Sequence, residues 1–165
     1  MAIWILDVDG VVNAHDLDLS NPDTRTGVVE WRKKTSGKEM VREQEVTWSQ
    51  ATIDFINNTG FEIFWLSAWK ENTQRVLDKL VGIKSSGWID WDQSIPEEGG
   101  KFLALQEFLN GSNVDFIWVD DVATKPITDM NVFLPNRALL LTPLEASGFD
   151  ESHMIQVEKF IQTLA

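Results

Sequence analysis

The sequence has no cysteine, so disulfides, thiolate nucleophiles and cysteine-ligated metals are excluded. Histidine is nearly absent, with two residues, and neither His15 nor His153 stands at a zinc-like spacing from a carboxylate. No apolar run reaches the length of a membrane span. The N-terminus lacks a basic segment ahead of its apolar run, and that run ends in acids, so it does not read as a signal peptide. A cytoplasmic home is the expectation, although a chain without cysteine is tolerated outside the cell as well. Positive charge is scarce. The net charge of −12 repels phosphate backbones at long range and argues against tight duplex binding. A small phosphorylated substrate stays open, because a bound divalent cation inverts the local sign. Tyrosine is missing against eight tryptophans, an unusual ratio.

What remains is enough for one globular domain. The 165 residues, 43% hydrophobic and 24% charged, allow a sizeable core and do not read as disordered. There is no internal repeat and no low-complexity tract. Residues 2–6 form an apolar strand that runs into Asp7, Asp9 and Gly10. Residues 14–27 read as a loop rich in Asp, Asn, Pro and Gly. Residues 28–48 read as a charged hairpin turning at Ser36-Gly37. Within it Arg32, Lys33, Lys34, Lys38 and Arg42 alternate with Glu30, Glu39, Glu43 and Glu45, the pattern of a solvated flap. Thr47 and Gln50 resemble a capping box, opening a helix with Trp48, Ala51, Phe55 and Ile56 on one face and Gly60 as its stop. Strands follow at 61–67, 87–91, 114–119 and 137–142. Helices are expected over 71–81, 100–110 and 150–164, the last capped by Asp150 with Met154, Ile161 and Leu164 facing the core.

Alternating strands and helices predict an α/β fold, a Rossmann-like three-layer sandwich around a largely parallel five-stranded sheet. The whole of 1–165 is one domain, with 14–47 inserted as a loop and hairpin flap. In open parallel sheets ligands bind beyond the carboxyl ends of the strands. Asp7, Ser67 and the pair Asp120-Asp121 all stand at such ends, and Lys101 joins them from a helix start. On alternation alone, Asp7 and Asp9 share one face, and like charges held close together need a cation between them. A hard-oxygen set of this kind suits Mg²⁺. Trp65 and Trp118 lie inside apolar strands and read as core, whereas Trp69 follows Ser67 closely and could line the crevice.

Four segments carry a family resemblance. "DVDGVV" (7–12), "FWLSAW" (64–69), "GGKFLAL" (99–105) and "FIWVDD" (116–121) resemble, in order, the four motifs of the haloacid dehalogenase-like (HAD) superfamily. The first and last are the more specific. The resemblance implies a small minimal-cap member with a hairpin in place of a cap domain. It further implies a Mg²⁺-dependent phosphohydrolase working through an aspartyl-phosphate. Asp7 would be the nucleophile and Asp9 the acid and base. Ser67, with Ala68 and the backbone N–H groups of Val8 and Gly10, would hold the phosphoryl oxygens, and Lys101 would balance their charge. Asp7, Asp9 through its carbonyl, Asp120 and Asp121 would hold the metal. Lys70 and Lys125 remain alternatives for the phosphate lysine.

The expected substrate is a small phosphorylated molecule, with no membrane partner. A nucleotide or nucleic-acid end is conceivable, but the acidic charge disfavours it. Two rivals belong to another class. A receiver-like domain would carry its acceptor after the third strand, where only Asp90 and Asp92 stand. A non-catalytic module would bind Mg²⁺ without turnover.

Overall fold

A computed structural model of the chain describes residues 1–130, 133 and 137–164. Five strands form one parallel sheet in the order β5-β4-β1-β6-β7. These are β1 (Ala2–Leu6), β4 (Glu62–Trp65), β5 (Gly87–Trp88), β6 (Asp115–Val119) and β7 (Ala138–Leu141). Every residue of β1 is buried, as a central strand covered on both faces must be. The separate β2 (Thr24–Thr35) and β3 (Lys38–Ser49) pair antiparallel as the expected hairpin, with Thr35 opposite Lys38.

Helices cover both faces. On one side lie α1 (Gln50–Asn58), a π-helical turn (Thr73–Leu77) leading into α2 (Asp78–Val81), and α5 (Glu151–Thr163). Their Ile53, Ile56, Leu77, Val157 and Phe160 pack with Trp4, Leu6 and Trp65 of the sheet. On the other side α3 (Glu97–Phe108) and α4 (Thr124–Met130) pack Leu105 and Ile127 against Ile3, Ile5 and Trp118. The result is a three-layer α/β sandwich compatible with a Rossmann-like fold. Among the described residues, no helix is long and apolar enough to cross a membrane.

Several local readings need correction. The cap of α1 is Ser49, whose Oγ accepts from Thr52 N–H, and Thr47 stays in β3. Ala51 therefore turns outward, and Thr52 and Ile53 take the buried face. Strand β2 begins inside the segment read as loop, because Thr24 to Gly27 pair with Ser49 to Val46. The helix expected over 71–81 starts at Thr73 as a π-turn and continues without a gap into α2. In α5 the fully covered residues are Val157 and Phe160, with Met154, Ile161 and Leu164 half-buried around them. Asp150 does cap α5, in a reciprocal box with His153. Helix α4 was not anticipated. Pro126 stands in its first turn, where a missing N–H costs nothing.

The hairpin is not a free flap. Asn72 grips its backbone from the body of the domain: Arg32 N–H donates to Asn72 Oδ1 at 3.0 Å, and Asn72 Nδ2 donates to Arg32 carbonyl at 2.7 Å. Arg75 also donates to the Glu30 carbonyl. Trp31 and Trp48 lie in the core beneath it, whereas Arg32 to Glu43 are exposed.

Candidate functional site

Strand register brings the site together. Leu6 pairs with Trp65 on one side and Val119 on the other. The residues one or two steps further, Asp7, Ser67 and Asp120, therefore emerge along one sheet edge. The strand order reverses about β1: β4 and β5 lie on one side, β6 and β7 on the other. The Asp7–Asp120 boundary is thus the switch point where open parallel sheets leave a crevice.

Lys101 is the pivot. It is fully buried, and its Nζ lies 3.0 Å from Asp7 Oδ2, 2.7 Å from Asp120 Oδ2 and 2.6 Å from Glu97 Oε1. Its ammonium sits 5.7 Å from the centre of the Trp91 ring. It donates a hydrogen bond to Asp120 and forms ion pairs with Asp7 and Glu97. Burial alone would lower its pKa, but Asp7, Asp120 and Glu97 outweigh this and hold it above the ordinary lysine range. Lys70 is committed elsewhere, to Asp90 at 2.7 Å and the Trp91 carbonyl at 3.0 Å, and Lys125 is exposed. Of the three candidates, Lys101 is the one in contact with Asp7.

Asp120 is fixed twice more, by N–H groups of Val122 at 2.9 Å and Ala123 at 2.7 Å. Asp7 Oδ1 accepts from Val8 N–H at 2.8 Å. Burial first, and Asp120 second, push the Asp7 carboxyl well above the usual carboxylate range, although Lys101 and Val8 pull it back. Half-burial and Asp120 push Asp121 up to about 6. Three carboxylates surround one ammonium and Asp121 stands beside them, so negative charge outnumbers positive.

One oxygen from each of Asp7, Asp120 and Asp121 lies within 4.8 Å of the others, a grouping that could hold a metal ion. An octahedral Mg²⁺ spans about 4 Å between opposite oxygens, so the spacing suits a small hard cation after slight closure. The donor chemistry fits as well, being all carboxylate with no nitrogen or sulfur. Gly10 is part of this arrangement. Its φ is +77°, and a Cβ there would collide with the Asp121 carboxylate. No other residue type combines that backbone with that neighbour.

Asp9 does not share the buried face with Asp7. Strand β1 ends at Leu6, alternation lapses, and the Asp9 carboxylate turns to the cleft mouth. There its Oδ2 accepts from Trp69 Nε1 at 2.9 Å and its Oδ1 from Asn13 Nδ2 at 2.9 Å. The carboxylate grouping does not include it. Ser67 is buried, with its Oγ accepting from Trp69 N–H at 3.1 Å. A cleft of about 250 Å³ is lined by Asp7, Asp9, Ser67, Ala68 and Asp121, together with Glu97 and Glu145. Trp69 and Lys101 are not among its lining residues. Val8 is buried beneath the turn, its carbonyl accepting from Val11, Val12 and Asn13 N–H groups.

Glu97 and Glu145 were missed in the sequence. Glu97 carried a usable signal, since it stands one helical turn before Lys101. Glu145 carried none, lying in an irregular segment after β7. No protein-family model matches the chain, and no curated protein matches it.

Proposed function

We propose that the chain is a HAD-like phosphomonoesterase that uses Mg²⁺ and passes through an aspartyl-phosphate. The observation that carries the reading is one buried arrangement: Asp7 at the end of the central strand, tied to a buried lysine and within ligand reach of two further acids. A solvated turn would have no reason to bury that set. The motif order in the sequence supports the same reading.

Asp7, Asp120 and Asp121 are the residues that would hold Mg²⁺. When bound, the ion would neutralise the uncompensated carboxylates and the phosphoryl oxygens. The chain's own residues do the rest. A carboxylate oxygen of Asp7 forms a bond to phosphorus. The ester P–O bond breaks with its electron pair on the leaving oxygen, which takes a proton from Asp9. Water then attacks the same phosphorus and gives its proton to Asp9. Inorganic phosphate leaves, and the Asp7 carboxylate is restored. Trp69 and Asn13 act through Asp9, holding its two oxygens at the cleft mouth. Lys101 keeps Asp7 and Asp120 in place from behind and offsets their charge.

The test is phosphate release from p-nitrophenyl phosphate with Mg²⁺, with EDTA, and with Asp7→Asn. The reading predicts turnover that is lost with EDTA and with the variant. Turnover that survives Asp7→Asn would remove Asp7 as nucleophile.

A further inference from the structure

The three carboxylates on Lys101 are not held alike. Asp7 and Asp120 are buried, and each is fixed by more than the lysine. Asp7 Oδ1 accepts from Val8 N–H at 2.8 Å, and Asp120 Oδ1 accepts from Val122 N–H at 2.9 Å and Ala123 N–H at 2.7 Å. Glu97 reaches the same ammonium at 2.6 Å from the first turn of α3, yet its side chain is 38% exposed. Among the described residues, Lys101 is the one group paired with its carboxylate. Glu97 is therefore the partner that can leave.

It is also on the side where leaving would matter. Asp7 and Glu97 both line the acid cleft, whereas Asp120 and Lys101 do not. Lys101 has no exposure of its own. A phosphoryl group entering the cleft meets Asp7, Asp9, Glu97, Asp121 and Glu145, with the buried cation covered by carboxylates. A phosphoryl oxygen is the same kind of charged acceptor for an ammonium as a carboxylate oxygen. Exchanging one for the other keeps Lys101 paired, so no buried charge is stranded. The released Glu97 carboxylate already stands beside solvent.

We infer that Glu97 is a displaceable stand-in for the substrate's phosphoryl group. It holds the cleft-side position on Lys101 until a phosphoryl oxygen takes that position, and it then swings to solvent. The inference rests on the reading of the cleft as a phosphoryl site. Under it Lys101 serves twice: it tethers Asp7 throughout, and once Glu97 has moved it meets the charge of the transferring group. Glu97 then sets a threshold for entry, because an anion must compete with it for the ammonium.

The test is equilibrium binding of inorganic phosphate with Mg²⁺, by calorimetry at fixed pH and ionic strength. Three variants separate contact from net charge. Glu97→Gln removes the charge and leaves Lys101 with its two fixed carboxylates. Glu97→Asp keeps the charge and draws it back from Lys101 by one methylene. Glu145→Gln removes a cleft carboxylate that does not pair with Lys101. Phosphate should bind about tenfold tighter to Glu97→Gln, the order of one hydrogen bond to a charged group. Glu97→Asp should also bind it tighter than the natural chain, and Glu145→Gln should gain far less than Glu97→Gln. Equal gains in Glu97→Gln and Glu145→Gln, with none in Glu97→Asp, would reduce the effect to net charge and overturn the inference. Weaker binding in Glu97→Gln would overturn it as well, since Glu97 would then hold Lys101 in place for the substrate. Turnover of p-nitrophenyl phosphate with no gain in Glu97→Gln removes the stand-in and keeps the phosphatase reading. The predicted gains without turnover of any phosphomonoester keep the stand-in and remove the phosphatase reading.

Discussion

Lys101 and Arg32 pose the same electrostatic problem in opposite surroundings. Each is one cation facing more than one carboxylate. Lys101 is fully buried, with Asp7, Asp120 and Glu97 at 2.6–3.0 Å. Arg32 is exposed on the hairpin, with Glu30 at 2.7 Å and Glu39 at 3.7 Å. Water and salt screen the second cluster, and such pairs contribute little to stability. The first cluster is screened far less, because Lys101, Asp7 and Asp120 are buried. There each charge depends on the others, and carboxylate pKa values are displaced. Displaced values and unbalanced charge are what metal binding and phosphoryl chemistry use. The hairpin has the larger number of charges, yet the raised carboxyl pKa values belong to the sheet edge, where few charges are trapped.

The sharpest way to break this contrast is Lys101→Met. It leaves Asp7 and Asp120 buried without their cation, and should cost about 3–5 kcal/mol in denaturant unfolding. Added Mg²⁺ should recover part of the loss. Stability unchanged by the substitution would mean that the buried cluster is no more coupled than the hairpin.

Gly10→Ala comes next. It forces a Cβ onto a backbone at φ +77° and into the Asp121 carboxylate. The expected cost is about 1–3 kcal/mol, together with a weaker Mg²⁺-induced rise in Tm. The same change at Gly37, also at positive φ but with nothing near its Cβ, should leave the Mg²⁺ response intact.

Acidification probes the site without mutation. Asp121 has its folded pKa raised to about 6, and that of Asp7 is raised as well. Raised carboxyl pKa values mean that the folded chain binds more protons than the unfolded chain. The stabilisation is fully present below about pH 4, the unfolded value, and is lost as pH rises through 6. The metal-free chain should therefore show a higher Tm at pH 5 than at pH 7, and saturating Mg²⁺ should flatten the difference. A metal-free Tm that falls between pH 7 and pH 5 would contradict these shifts. The smallest effect belongs to the hairpin: Glu39→Gln should leave Tm and p-nitrophenyl phosphate turnover within error.

The part of this site visible in the sequence was the part set by strand ends. Asp7, Ser67 and Asp120 each follow an apolar run, and parallel strands align their ends, so convergence followed from pattern alone. Lys101 was legible only through its place in the motif order, since one lysine at a helix start looks like any other. Asp9 was misread because alternation was carried one turn too far. The strand stops at Leu6, and the geometry after it depends on Gly10 avoiding Asp121, a contact across 111 positions. Ser49 was passed over as a cap because Thr47 offered the same chemistry two residues earlier, and pairing with the other hairpin strand decided between them. Lys33 and Lys34 read as solvated charge, and both are exposed in the structure.

Asp7 is proposed as the nucleophile that accepts the phosphoryl group, and the most direct measurement is the location of a trapped phosphoryl group. The chain is mixed with p-nitrophenyl phosphate and Mg²⁺, quenched in acid during turnover, and mapped by peptide mass. The account predicts one added phosphoryl group on Asp7, absent in EDTA and absent in Asp7→Asn. Turnover with the label on another residue, or with no covalent label and an active Asp7→Asn variant, would contradict it.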